Sequence, residues 1–202
     1  MNWKCSLISE LTDGEYREWY RLMSESRRAR VGRLTREEDR KRSIMGEILA
    51  RKAASEETGI PPEKITVLSA PDGRPYVKDP PVFLSITHSG DMAAAAADIL
   101  PVGIDAERIR PVKLLPAKRV FSSEEKSFLF GSGYGEEDFR KKPDEDTLQR
   151  FFLLWTRYEA RIKRSGVPLG SMPDKEDPVI LETFREGEYV ISLAHTPAKR
   201  EV

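Results

Sequence analysis

One cysteine, Cys5, is present in 202 residues. A single thiol excludes a disulfide framework and a cysteine-based metal centre, and it suits a reducing compartment. No apolar run is long enough to span a bilayer. The start, Met1-Asn2-Trp3-Lys4-Cys5, lacks the apolar stretch of a signal peptide. A soluble cytoplasmic protein with no membrane partner is therefore expected. Net charge is also missing: 34 basic residues balance 34 acidic ones, so no global field points to nucleic acid or to a lipid surface. The apolar fraction, 39%, is low for one compact body and the charged fraction, 34%, is high. That balance fits a lobed protein with much surface.

The neutral sum hides two uneven regions. Residues 27–52 hold ten Arg or Lys (Arg27, Arg28, Arg30, Arg33, Arg36, Arg40, Lys41, Arg42, Arg51 and Lys52) against four acids, and residues 123–146 hold eight acids against four bases. Apolar spacing predicts a short helix from Glu15 to about Ser26 and a long one over 36–58, where Ile44, Ile48 and Leu49 form a stripe. Gly59 and Pro61-Pro62 end it. Strands are expected at Ile65–Leu68, Val82–Thr87, Ala93–Asp98 and Val102–Glu107, with a turn over Pro71–Pro75 and a tight connection at His88–Asp91. Ser123-Glu124-Glu125 should cap a helix through about Phe130, and 131–144 should be mobile. A second long helix is predicted over 146–165, anchored by Phe151, Phe152 and Trp155, then a hairpin of Val179–Phe184 and Tyr189–Ala194.

Within the second long helix, Trp155, Glu159 and Lys163 recur at i, i+4 and i+8 and lie close to one face. On the strand Val102–Glu107, Asp105 and Glu107 point the same way and Ala106 the other. Three carboxylates beside a lysine suit a hard cation carrying a phosphate, since magnesium is usually held by a few carboxylates, waters and phosphate oxygens. Taken singly, each has a plainer reading: a solvated edge strand for the pair, and a surface helix contact for Glu159 with Lys163.

An internal echo joins the halves. Leu84-Ser85-Ile86-Thr87-His88-Ser89 resembles Ile191-Ser192-Leu193-Ala194-His195-Thr196, and each follows a long amphipathic helix. The expected architecture is α+β, a pseudo-two-fold pair of similar α+β lobes (1–101 and 102–202) with a ligand site in the seam.

Four segments in order carry a family resemblance: Gly73-Arg74-Pro75-Tyr76, Ser85 to Gly90, Val102 to Glu107, and Trp155-Thr156 through Glu159-Ala160 to Lys163. The chain resembles the 4′-phosphopantetheinyl transferases of the Sfp type from about Arg27 to His195. The resemblance implies Mg2+-dependent transfer of the phosphopantetheine arm of coenzyme A, a co-substrate, to a serine of an apo acyl or peptidyl carrier protein, releasing adenosine 3′,5′-bisphosphate. It implies Asp105, Glu107 and Glu159 as metal ligands, and Glu159, Lys163 and His88 as catalytic residues. Coenzyme A would be held by Arg27, Arg30, Arg42, Ser43, Arg74, Thr87, His88 and Lys163. His195, in the second copy, is expected to be structural, and a monomer is expected.

Two departures from the family stand out. Tyr158 occupies the position where the family usually has lysine, so restoring lysine there is expected to raise or leave the rate. The stretch between Gly166 and Val179 is short, as if a hairpin were missing. Arg140-Lys141-Lys142 is a candidate contact for an acidic carrier. Two alternatives stay open: a degenerate homologue that binds coenzyme A or a carrier without transfer, and a nucleic-acid binder using the arginine cluster, for which no recognition motif is present.

Overall fold

A computed structural model of the chain describes residues 1–166 and 178–197. The order is β1 (Asn2–Leu7), α1 (Asp13–Leu22), α2 (Glu25–Gly32), α3 (Glu37–Thr58), β2 (Leu68–Ser69), β3 (Pro75–Val77), β4 (Val82–Ser89), β5 (Met92–Asp98), β6 (Val102–Arg108), α4 (Leu115–Val120), α5 (Ser123–Phe130), α6 (Glu145–Ser165), β7 (Ile180–Glu186) and β8 (Tyr189–His195). An antiparallel five-stranded sheet runs β1-β5-β4-β3-β2, and an antiparallel three-stranded sheet runs β6-β8-β7. The fold is α+β. Among the described residues no helix is long and apolar enough to cross a membrane. The short stretch after Gly166 falls mostly outside the described residues.

Alanine favours helices, yet Ala93–Ala97 forms the middle of β5. The reason is burial on both faces. Ala93, Ala95 and Ala97 pack with Ile44, Ile48 and Leu49 of α3. Met92, Ala94 and Ala96 pack with Ile104, Ala106, Ile191 and Leu193 of the second sheet. Small side chains let four layers stack closely: α3, first sheet, second sheet, α6. A helix-on-sheet unit thus occurs twice, with the sheets back to back.

Where the structure departs from the sequence reading, local hydrogen bonding explains it. The helix expected over 15–26 is two helices. Met23 is extended and buried, and Arg28 Nη1 donates to the carbonyls of Arg21 and Met23 that the end of α1 leaves unpaired. Helix α1 starts earlier, at a capping box in which the Thr12 side chain accepts from the Glu15 N–H and the Glu15 side chain accepts from the Thr12 N–H. Ser122, not Ser123, makes the same box with Glu125 on α5. Strand β1 was not foreseen, although Trp3, Cys5 and Leu7 alternate with polar residues; Trp3 and Cys5 face the second sheet. The strand expected at 65–68 shrinks to Leu68–Ser69, because Ile65 and Val67 turn into the core instead of a ladder. Within 131–144, the segment expected to be mobile, Phe139 is buried and its ring meets those of Phe130 at 4.8 Å and Tyr134 at 6.1 Å.

Candidate active site

The two sheets meet along β4 and β6. One edge of β6 pairs with β8. On its other edge the N–H groups of Ile104, Ala106 and Arg108 donate to the hydroxyls of Ser85 (3.0 Å), Thr87 (a long 3.5 Å) and Ser89 (3.2 Å). These three residues share one face of β4 because strand side chains alternate. The edge of β6 is therefore closed by side chains instead of another backbone.

That register sets the carboxylates. Asp105 Oδ1 accepts from Thr87 Oγ1 at 2.9 Å and from Lys163 Nζ at 2.6 Å. Glu107 Oε2 accepts from Ser89 Oγ at 2.6 Å and from Arg110 Nη1 at 2.9 Å. The Arg110 guanidinium also lies over the Phe152 ring, 5.6 Å from its centroid. Asp105 Oδ2 is buried with no hydrogen-bond partner. Helix α6 brings Glu159 and Lys163 close because Gly103 lets it cross β6: a Cβ there would strike the Ala160 carbonyl oxygen.

A pocket of about 320 Å³ results, lined by Ile86, Thr87, His88, Asp105, Glu107, Trp155, Glu159 and Lys163. Six of the residues named from the sequence (Thr87, His88, Asp105, Glu107, Glu159 and Lys163) line this one space. Burial pushes the His88 pKa below the ordinary histidine value, and the neighbouring charges of Arg42 and Lys163 push the same way, so its ring is neutral at pH 7. Burial raises the Glu159 pKa above the ordinary glutamate value; the charges of Asp105 and Glu107 add to this and Lys163 opposes it.

The sign of the Glu159 shift gives a stability prediction. The folded state holds this proton more tightly than the unfolded chain, so stability falls as pH rises from the unfolded to the folded pKa and stays reduced at neutral pH. Glu159→Gln should therefore raise the thermal midpoint of the unliganded protein at pH 7.5. The side chain is only partly buried, so screening keeps the gain small, on the order of 2–4 °C for about 1 kcal/mol. The gain should vanish near pH 4, which calorimetry at the two pH values would test.

A second hollow, of about 280 Å³, adjoins the first and shares Lys163. It is mainly apolar, with Pro75, Tyr76, Val82 and Leu84 in its wall and Arg74 beside them. Arg74 Nε is paired with Asp72 at 2.7 Å, and its guanidinium lies against Gly166.

The basic cluster of residues 27–52 does not form one surface. Arg27 is buried and its Nε donates to Glu47 Oε2 at 2.9 Å. Glu47 also binds Arg51, which donates to the Leu22 carbonyl. This buried triad ties α1, α2 and α3 together, so Arg27 is a core residue and not a phosphate ligand; exposing it would take away one of the two guanidinium partners of the buried Glu47 carboxylate. Arg30 is exposed on α2, and neither it nor Ser43 lines the pocket. Arg42 lies close enough to His88 to affect its charge and donates to the Gly90 carbonyl at 2.7 Å. His195, at the end of β8, stands 3.4 Å from Glu182, which fits a structural role.

Tyr158 is also a core residue. It is 5% exposed and packs with Phe152, Ile162 and Val190, its ring 6.1 Å from that of Trp155. The expectation that lysine at 158 would raise or leave the rate is therefore replaced. Tyr158→Lys puts an ammonium into an apolar cluster and should destabilise the protein by about 3 kcal/mol, lowering the thermal midpoint by roughly 6–12 °C. The tyrosine consequently gives no support to a non-catalytic homologue.

Two contributors escaped the sequence reading: Ser89 and Arg110. The first had a signal, since it lies two residues after Thr87 on a strand. Among the described residues, no three or more His, Cys, Asp or Glu side chains come together as a group able to hold a metal ion as they stand. The set nonetheless fits a hard divalent cation: Asp105 has one oxygen engaged and one buried and unpartnered, and Glu107 and Glu159 line the same pocket.

Comparison with known proteins identifies the family. Residues 10–100 match the family model described as 4′-phosphopantetheinyl transferase, N-terminal. Residues 101–201 match that of the 4′-phosphopantetheinyl transferase superfamily. A 4′-phosphopantetheinyl transferase of Bacillus subtilis is 30% identical over 203 residues, an alignment covering 91% of this chain and 86% of the relative. The 4′-phosphopantetheinyl transferase Sfp of Bacillus subtilis (strain 168) is 30% identical over 190 residues, covering 93% and 79%. The 4′-phosphopantetheinyl transferase psf-1 of Bacillus pumilus is 32% identical over 165 residues, covering 72% and 66%. With both halves matched and this identity sustained over most of its length, the chain belongs to the 4′-phosphopantetheinyl transferase superfamily.

Proposed function

We propose that this chain transfers the 4′-phosphopantetheine arm of coenzyme A to a serine hydroxyl of an apo acyl or peptidyl carrier protein, releasing adenosine 3′,5′-bisphosphate. It would work as a cytoplasmic monomer of two lobes, 1–101 and 102–202, with the reaction in their seam. The observation that carries the reading is the convergence of Asp105, Glu107, Glu159, Lys163 and His88 on one pocket in a chain of this family.

Asp105, Glu107 and Glu159 are the residues that would hold Mg2+. When bound, the ion would draw charge from the pyrophosphate oxygens and orient them. Lys163, already fixed by Asp105, neutralises charge that develops on the transferred phosphoryl group. Neutral His88 donates a ring N–H to the pyrophosphate. Glu159 takes the serine proton as the new P–O bond forms and the bond to adenosine 3′,5′-bisphosphate breaks. The mainly apolar hollow beside Lys163 suits a nucleotide base, with Arg74 for stacking or for the 3′-phosphate. Arg140, Lys141 and Lys142 serve as a carrier contact, with Lys141 partly engaged by Asp138 at 2.8 Å.

The test is intact mass spectrometry of a panel of apo carriers incubated with the protein, coenzyme A and Mg2+. One added phosphopantetheine, lost without Mg2+ or in Glu159→Ala, is the expected result. No addition to any carrier, with coenzyme A still bound, would refute catalysis on those carriers.

A further inference from the structure

The three hydroxyls on the seam face of β4 are not equivalent. Each accepts an N–H from β6. Ser85 does no more for β6. Thr87 and Ser89 also donate to the carboxylate of the preceding residue on β6, Asp105 and Glu107. For Ser89 both bonds are well formed: 3.2 Å from the Arg108 N–H and 2.6 Å to Glu107 Oε2. A hydroxyl that accepts a fixed backbone N–H has its own proton steered to the remaining side, here toward the carboxylate. Arg110, the other partner of Glu107, is half exposed, so Ser89 is the buried-side anchor. Both bonds engage Oε2, which leaves Oε1 for a ligand.

We infer that Ser89 is a positioning residue: it fixes the Glu107 carboxylate for metal binding and ties the first sheet to the metal site on the second. The inference rests on the reading of Asp105, Glu107 and Glu159 as the metal ligands. Partners that orient a ligating carboxylate typically change metal affinity by about 10–100-fold when removed. Ser85 provides the internal control, because it makes the same bond between strands without touching a carboxylate.

The experiment titrates Mn2+ into the full chain with coenzyme A present, reading free Mn2+ by electron paramagnetic resonance, alongside thermal midpoints. Ser89→Ala should weaken Mn2+ binding by about 10-fold or more. It should shift the Mg2+ concentration for half-maximal transfer by the same factor, with a smaller change in turnover at saturating Mg2+. Ser89→Thr, which retains the hydroxyl, should recover most of the affinity. Ser85→Ala should lower the thermal midpoint and leave Mn2+ affinity as in the unaltered protein. Equal Mn2+ affinity in Ser89→Ala and the unaltered protein, or equal losses in Ser89→Ala and Ser85→Ala, would overturn the inference while the metal reading stands. Absence of Mn2+ binding by the unaltered protein, or unchanged binding in Glu107→Gln, would overturn both.

Discussion

Asp105→Asn should lower carrier modification by about 10³-fold, equivalent to about 4 kcal/mol of transition-state stabilisation, while the protein stays folded. The substitution keeps shape and an oxygen acceptor but removes the charge. Asp105 is 5% exposed, with Oδ1 held by Thr87 and Lys163 and Oδ2 unpartnered. Its charge offsets Lys163 and, on the proposed mechanism, draws the metal. Losing it weakens the metal site and releases Lys163 from its fixed position. Folding should be spared, because a buried carboxylate with an unpaired oxygen is itself costly. Coenzyme A should still bind, more weakly, through Lys163, His88 and Arg74. Turnover within tenfold of normal, at an unchanged thermal midpoint, would remove Asp105 from the metal set.

Gly103→Ala should cost about 3 kcal/mol or more of stability, at the upper end of overpacking effects. That corresponds to a midpoint lowered by roughly 6–12 °C in a chain this size. The new Cβ would meet the Ala160 carbonyl oxygen and, at 2.6 Å, the Arg164 amide nitrogen. Both are backbone atoms of α6, so no flexible side chain can yield. The helix must lift from β6, and it carries Glu159 and Lys163 with it. Activity at a temperature where the variant is still folded should therefore fall as well, by about 10²-fold for a displacement near 1 Å. Gly133, where an added Cβ meets nothing within 4 Å, is the matched control. A Gly103→Ala protein with an unaltered midpoint would mean that α6 does not cross β6 so closely.

Much of the site was legible because it obeys local periods. Asp105 and Glu107 share a strand face at spacing two, and Glu159 and Lys163 share a helix face at spacing four. Those rules need no knowledge of the partner element. The long helices were legible for the same reason, ending at Gly59 and Gly166, both left-handed with φ of 73° and 71°. Strand β1 is absent from the sequence reading despite the alternation of Trp3, Cys5 and Leu7, because its neighbour β5 lies about ninety residues away in the chain.

The arginines mark the limit. Arg27 and Arg30 look alike in sequence, three residues apart among other cations. Only the docking of α2 on α3, which sets Glu47 against Arg27, makes one a core residue and leaves the other exposed. Tyr158 is the same case: one residue from Glu159, yet turned into the apolar cluster with Val190. By itself, then, the sequence determined which residues share a face, where the long helices stop, and which family the chain resembles, because these depend on spacing and short motifs. Tertiary structure decided which charges are spent inside the core, which hydroxyls hold which carboxylates across the seam, and that Tyr158 lies in an apolar cluster. Those outcomes depend on side chains from separate elements meeting at a few ångströms, and no local period encodes that distance.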